Sequence, residues 1–300
     1  MLKRTITGAI IFLITLGFIF LKQVHALFFD AYVLIFSYGA LYEMISINKL
    51  SNKKIDTYLI WLVPALVCLV LNLEKDYFRA IVWLLLIALV YFVVMITSEI
   101  IKLAQNRKNG TTEKNVSVLN QSLFEKTKNS FMVLAYPVLV LSFMMGLNHL
   151  PYVQGYIGII LVFAVSMLTD TMAYFVGFLW GKTKFVPEVS PKKTIAGMIG
   201  GFAGGILAAA AVFLLFYFTD FLALSSVASL GTLITMFVVV GLLGSFITQL
   251  GDLVESAFKR RVNIKDSSNI FPGHGGFLDR VDGLMFNSAL IYVLFVLFLV

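Results

Sequence analysis

The stretch Ser229-Leu-Gly-Thr-Leu-Ile-Thr-Met-Phe-Val-Val-Val-Gly-Leu-Leu-Gly-Ser-Phe-Ile-Thr-Gln-Leu250 runs for 22 residues without a charged side chain. A hydrocarbon core of about 30 Å needs about 20 mostly apolar residues per α-helix, so this stretch reads as a membrane-crossing helix. Outward from it, eight more apolar stretches appear at about 5–21, 25–46, 57–73, 78–99, 131–147, 156–180, 196–218 and 283–300. None alternates with period two over ten residues, as a barrel strand does. The expected fold class is all-α, a polytopic integral membrane helical bundle with about nine transmembrane helices. Composition agrees. Hydrophobic residues are 60% of the 300 and charged residues 13%, against about 45–50% and about 25% in soluble domains. That excludes a soluble enzyme, a disulfide scaffold and a disordered chain. Cys68 is the single cysteine, so intramolecular disulfides and a cysteine-based zinc site are excluded as well.

Lysine and arginine give direction. With a cytoplasmic N-terminus, 20 of the 23 basic residues fall in inner segments, leaving Lys22, Lys75 and Arg79 outside. The formal charge of +7 is then mainly a topology signal, and no nucleic-acid partner is expected. Lys3-Arg4, an apolar stretch and Val24-His25-Ala26 imitate a signal peptide with its cleavage site. The apolar run is longer than a usual signal core and another span follows at once, so the segment is expected to be retained.

The chain divides into N-terminal helices (1–100), a polar segment rich in Asn, Lys, Ser and Thr expected as a cytoplasmic linker (101–130), and a second half (131–300) that carries the chemistry. Asp170 interrupts the sixth span ten residues before Trp180, about 15 Å deep at about 1.5 Å per residue. An ionised carboxylate there costs at least about 2.5–3.5 kcal/mol unless paired, metal-bound or wetted. The alternative is a carboxyl bonded to a neighbouring Tyr or Thr. Asp30, Glu43 and Glu99 lie nearer the ends of apolar stretches, where snorkelling or local pairing accounts for them.

Asp252, Glu255, Ser256 and Lys259 follow at i, i+3, i+4 and i+7, one polar stripe leaving the membrane. Then come Lys265-Asp266, the turn Pro272-Gly273-His274-Gly275-Gly276, and Asp279-Arg280-Val281-Asp282 at the start of the last helix. The helix dipole accounts for Asp279 and Asp282 at about 0.3–1 kcal/mol, but not for Asp252 at the opposite kind of helix end. Carboxylates without thiols suit Mg²⁺, and interleaved basic residues suit a polyphosphate. Ser190-Pro191-Lys192-Lys193-Thr194 reads as an N-cap serine, an N1 proline and two lysines on the first turn of the seventh helix, a phosphate cradle or an ordinary capped helix. Gly197, Gly200, Gly201, Gly204, Gly205 and Ala208 are packing positions. His274 suits a general base, a phosphate donor or a turn residue equally.

Taken whole, Ser256-x-Phe258-Lys259-Arg260-x4-Lys265-Asp266-x-Ser268-x2-Phe271-Pro272-x-His274-Gly275-Gly276-Phe277-x-Asp279-Arg280-Val281-Asp282 resembles the signature of phosphatidate cytidylyltransferases. Asp170-x3-Tyr174, Ser190 to Thr194, the glycine-rich seventh helix and, more loosely, Lys3-Arg4-x3-Gly8 are similar to that family too. Good resemblance covers about 165–285. It implies transfer of CMP from CTP to phosphatidic acid, giving CDP-diacylglycerol and pyrophosphate with Mg²⁺, by a homodimer in the cell (inner) membrane whose site faces the cytoplasm. It implies Asp252 and Asp279 as metal ligands, which the residues themselves do not rank above Asp282 or Asp266. Lys192, Lys193, Lys259, Arg260, Lys265 and Arg280 are the phosphate-clamping pool, joined in substrate binding by Ser190, Thr194 and Ser256. Asp170, His274, Asp266 and Asp282 complete the catalytic candidates, the last two orienting cations or bound water. Ala196 and Gly283 depart from the family pattern without touching an expected ligand. Two rivals stand beside this reading: a CTP-dependent kinase of another membrane alcohol, and an ion-coupled transporter using Asp170.

Overall fold

A computed structural model describes residues 2–51, 55, 60–74, 76–108, 113–219 and 228–299, with the side chains of 2–5, 77, 78, 80, 81, 95, 98–100 and 102–123 left out. Lys3, Arg4 and Glu99 therefore lie outside the described side chains, and Lys75 outside the described residues.

Most of the described residues are helical: α1 (Leu2–Leu21), α2 (Ala26–Leu50), α3 (Val63–Leu73), α4 (Tyr77–Lys108), α5 (Glu113–Leu134), α6 (Val140–His149), α7 (Tyr152–Trp180), α8 (Ile195–Thr219), α9 (Leu230–Arg260) and α10 (Leu278–Phe298). A single π-helical turn, Ala135–Leu139, joins α5 to α6. Among the described residues six helices are long and apolar enough to cross a membrane: Ala26–Leu50, Phe124–His149, Tyr152–Trp180, Ile195–Thr219, Leu230–Arg260 and Leu278–Phe298. Shorter apolar helices at Ile6–Leu21, Ile60–Leu73 and Val82–Val94 fall on the remaining three apolar stretches. The chain is a multi-pass membrane protein of the expected class.

In two places the structure adds local detail to what the sequence suggests. The segment 101–130, expected as a linker, is helical in its described parts, as the end of α4 and most of α5. Its polar residues lack an apolar period, but a helix already nucleated in lipid propagates outward at little cost. Ser190–Thr194, expected as the first turn of a helix, is instead strand β2, paired antiparallel with β1 (Lys184–Val186). Pro191 suits an edge strand as well as a helix start. The cap is Thr194, whose Oγ1 accepts the Gly197 N–H at 3.1 Å.

The second half packs most tightly. Gly197, Gly200 and Gly204 lie against the backbone of α7 at Ala173, Met172 and Leu168, while Gly201 and Gly205 face Gln249 and Ser245 of α9. Small residues let helices approach where lipid supplies no hydrophobic drive. Three buried polar side chains tie α7, α9 and α10 together: Ser166 meets Thr248 at 3.1 Å, and Asn287 donates to Ser166 at 3.0 Å.

Asp30 and Glu43 sit on α2 thirteen residues apart, about 20 Å along the axis, and mark its two ends. Near the first, buried Asp30 accepts from Asn148 (2.8 Å) and Asn72 (2.9 Å) and meets His149 at 2.9 Å. Lys22 donates to the Asn148 carbonyl at 2.9 Å. Burial pushes its ammonium down to about 8, against the opposing pull of Asp30. The second end of α2 reaches the candidate site.

Candidate active site

The site is built where α9 and α10 cross. A Cβ on Gly251 would strike the Asp282 carbonyl oxygen, and one on Gly283 would lie 2.7 Å from the Thr248 Cγ2. The two glycines thus permit near-contact of the helices, and each has an aspartate as its chain neighbour. The result is a cluster in which ligand oxygens of Asp252, Glu255 and Asp282 all lie within 4.8 Å of one another. Asp252 and Glu255 come from one face of α9, and Asp282 from the second turn of α10.

Each carboxylate has a distinct set of partners. Asp252 pairs with Lys193 at 2.7 Å and accepts from Ser256 Oγ at 3.2 Å. Asp282 accepts the Gly283 N–H at 2.8 Å. Glu255, fully buried, is ion-paired with Lys259, whose ammonium also meets Asp279 Oδ1 at 2.5 Å. The second Asp279 oxygen accepts Ser267 N (2.8 Å), Ser267 Oγ (2.6 Å) and Gly276 N (2.8 Å). Asp279, expected beside Asp252 as a metal ligand, thus has both oxygens engaged by protein donors. It holds the 267–276 loop and Lys259.

Beside the cluster opens a cavity of about 790 Å³. Its polar wall is Asp170, Lys184, Ser190, Lys192, Lys193 and Asp252; its apolar wall includes Tyr174, Phe178, Phe185, Phe246 and Leu250. Asp170 opens onto this space, which accounts for a carboxylate deep in a lipid-crossing helix. Arg280 and Lys193 lie within Coulombic reach of Asp170. The Arg280 Nε is buried and without a hydrogen-bond partner among the described residues. Thr194 borders the cavity but its hydroxyl caps α8.

Four expected residues are placed elsewhere. Arg260 donates from Nε to the Val189 carbonyl (3.1 Å) and from Nη1 to that of Ile264 (3.0 Å), strapping the hairpin to the end of α9. Lys265 and Asp266 are exposed on the following loop, outside the cavity lining. His274 lies on the tight turn closed by Phe271 N–H to Gly275 O at 2.9 Å, with its ring against Gly8 of α1. Gly273 and Gly275 have φ of 78° and 77°, a left-handed conformation that favours glycine. The contact gives Gly8 a physical role: any Cβ there would lie 3.2 Å from His274 Nε2.

Two residues escape a reading of the sequence alone. Glu43, buried in α2, accepts from Ser268 Oγ (2.6 Å), Phe277 N (2.9 Å) and Leu278 N (2.8 Å) and shares with Asp279 the single proton of Ser267 Oγ, 2.7 Å away. It caps α10, whose own N-cap residue, Phe277, supplies no side-chain bond. Tyr136, on the π-helical turn, packs against Phe258 of α9 and Phe286 of α10 at ring-centroid distances of 5.1 and 5.9 Å. A glutamate inside an apolar stretch and a proline in mid-span are the signals that could have found them.

The donor set fits a hard divalent cation. Three carboxylates converge, all ligands are oxygens, and of the described ion pairs only Lys193 and Lys259 reach them. Cations interleaved beside them suit phosphate oxygens.

A model of the cytidylyltransferase family matches residues 2–298 of the chain. Phosphatidate cytidylyltransferase of Staphylococcus aureus (strain COL) is 37% identical over 183 residues, 60% of this chain and 65% of that protein. Those of Staphylococcus haemolyticus (strain JCSC1435) and Staphylococcus saprophyticus are 36% and 35% identical over 183 and 182 residues, with the same shares. The match thus spans just under two thirds of the relatives' own length. A carboxylate cluster at a helix crossing, a lysine-lined cavity walled by apolar rings, and a family model spanning nearly every residue agree, and the chain belongs to the cytidylyltransferase family.

Proposed function

We propose that this protein transfers CMP from CTP to phosphatidic acid, forming CDP-diacylglycerol and releasing pyrophosphate at the cytoplasmic face of a cell membrane. The relatives named phosphatidate cytidylyltransferase support the reaction, and the distribution of basic residues supports the orientation. The observation that carries the reading is a cavity with two chemically opposite walls. Lys184, Lys192 and Lys193 suit phosphates, and the aromatic wall suits the glycerol end of diacyl chains. The same reading takes the protein as a homodimer.

In the reaction an oxygen of the phosphatidate phosphomonoester bonds to the α-phosphorus of CTP. The bond from that phosphorus to the bridging oxygen breaks, and pyrophosphate leaves with the electron pair. The nucleophile is already anionic near neutral pH, so placement and charge neutralisation dominate. Asp252, Glu255 and Asp282 are the residues that would hold Mg²⁺. When bound, that ion would supply positive charge to offset the negative charge of the phosphates. Lys193, already paired with Asp252, is placed to exchange that carboxylate for a phosphate oxygen. Arg280 offers a buried Nε–H with no acceptor among the described residues. Lys259 fixes Glu255 and, through Asp279, the 267–276 loop.

Purified protein supplied with phosphatidate micelles and CTP labelled at the α-phosphate should move label into the lipid phase only when phosphatidate is present. Lipid labelled by γ-phosphate-labelled CTP, on a polyprenol acceptor, would instead make the protein a kinase and overturn the proposal.

A further inference from the structure

Tyr136 has no part in the chemistry above, and its surroundings are unusual. Its side chain is 7% exposed, and its hydroxyl has no hydrogen-bond partner among the described residues. A buried hydroxyl left unpaired forfeits its hydration without replacement, so such a group in a packed core calls for a missing partner. Asp282, Glu255, Asp252 and Asp279 lie within Coulombic reach of the hydroxyl, and three of them form the converging cluster; Phe258 stands one helical turn beyond Glu255, and Phe286 one turn beyond Asp282. Phe258 and Phe286, one from each helix that carries the cluster, clamp the ring and fix its direction.

The backbone explains how the residue reaches that place. Pro137 lacks an N–H, and its ring would crowd the carbonyl of residue 133 in a regular α-helix. The widened turn Ala135–Leu139 accommodates it and shifts the register of the following side chains. Such single π turns are frequent at functional sites.

We propose that the Tyr136 hydroxyl is a positioning donor for the cation-loaded cluster, holding one carboxylate oxygen of Asp252, Glu255 or Asp282 in its ligating orientation. A phenol suits the task because it donates one hydrogen bond and adds no charge. Groups of this kind behind metal ligands commonly contribute about 10–100-fold to metal affinity. The inference rests on the proposed reading of the cluster as a divalent-cation site.

The test is Mn²⁺ binding to purified protein, followed by electron paramagnetic resonance without nucleotide or lipid. Tyr136→Phe keeps the ring and its packing and removes only the hydroxyl. It should bind Mn²⁺ about tenfold more weakly than the wild type, with an unfolding midpoint in metal-free buffer no lower than that of the wild type. Asp282→Asn should lose the site. If Asp282→Asn loses binding while Tyr136→Phe stays within about twofold of wild type, the tyrosine proposal alone is overturned. If Asp282→Asn binds as the wild type does, the cation reading falls and the proposal with it. Should Tyr136→Phe fold poorly, 3-fluorotyrosine at position 136 of the otherwise unaltered protein gives a second reading. Its fluorine resonance should shift on adding Mg²⁺, and an unmoved resonance overturns the proposal.

Discussion

Glu43 accepts hydrogen bonds from Ser268 and the N–H groups of Phe277 and Leu278 and shares with Asp279 the hydroxyl proton of Ser267, a residue 224 positions further along the chain. Its carboxylate therefore does for α10 what a local N-cap serine or aspartate does elsewhere, with the added benefit of a negative charge at a helix N-terminus. Glu43→Gln keeps the size but removes the charge and two of the acceptor positions. Hydrogen bonds to charged groups are worth about 1.5–3 kcal/mol, so the variant should lose about 2–3 kcal/mol of stability, measured as a lowered denaturation midpoint in detergent. An unchanged midpoint would show that the cap is not under load. The sequence marks Glu43 as a carboxylate near the end of an apolar stretch, and local pairing is the natural inference. Its true partners are invisible there, because nothing in a hydropathy pattern says which helix stands beside which.

At the level of elements, the crossing of α9 and α10 places the site. Gly251 and Gly283 sit where the helices nearly touch, and the cluster is their immediate consequence. A methyl group at position 251 would collide with backbone, which cannot swing away as a side chain can. Overpacking of this kind costs about 1–3 kcal/mol, and a shift of about 1 Å in a reacting geometry costs about 100-fold in rate. Gly251→Ala should therefore lower turnover by about 10- to 100-fold while most protein remains folded. Gly17→Ala, at a position with nothing within 4 Å of the added carbon, should leave turnover unchanged. Equal activity of both variants would remove the crossing from the account. Element existence was well marked in the sequence because lipid-crossing helices need long uncharged runs. The Ser190–Thr194 segment was not, since Ser-Pro-Lys-Lys-Thr fits a helix start and an edge strand equally and only pairing with Lys184–Val186 decides.

For the molecule as a whole, the charge partition and the motif-bearing loops point to one end of the bundle, and the structure collects most of those motifs there. The polar stripe of α9 and the acidic start of α10 were legible as chemistry. Which acids meet was not, because Asp279 and Asp282 share a face of one helix yet reach different partners, the first Lys259 and Ser267, the second the Asp252–Glu255 pair. That difference follows from the tilt of two helices against each other, a property of the packed bundle.

We propose that Asp252 and Asp282, thirty residues apart in sequence, act as one charge centre. A double-mutant cycle on CTP- and phosphatidate-dependent turnover tests it directly, with Asp252→Asn, Asp282→Asn and the double variant purified and checked for folding. Groups acting as a unit are strongly non-additive. Each single substitution should lower turnover about 100-fold or more, and the double variant should be scarcely worse than either. Near-normal turnover in one single variant, or losses that simply multiply in the double, would contradict the account.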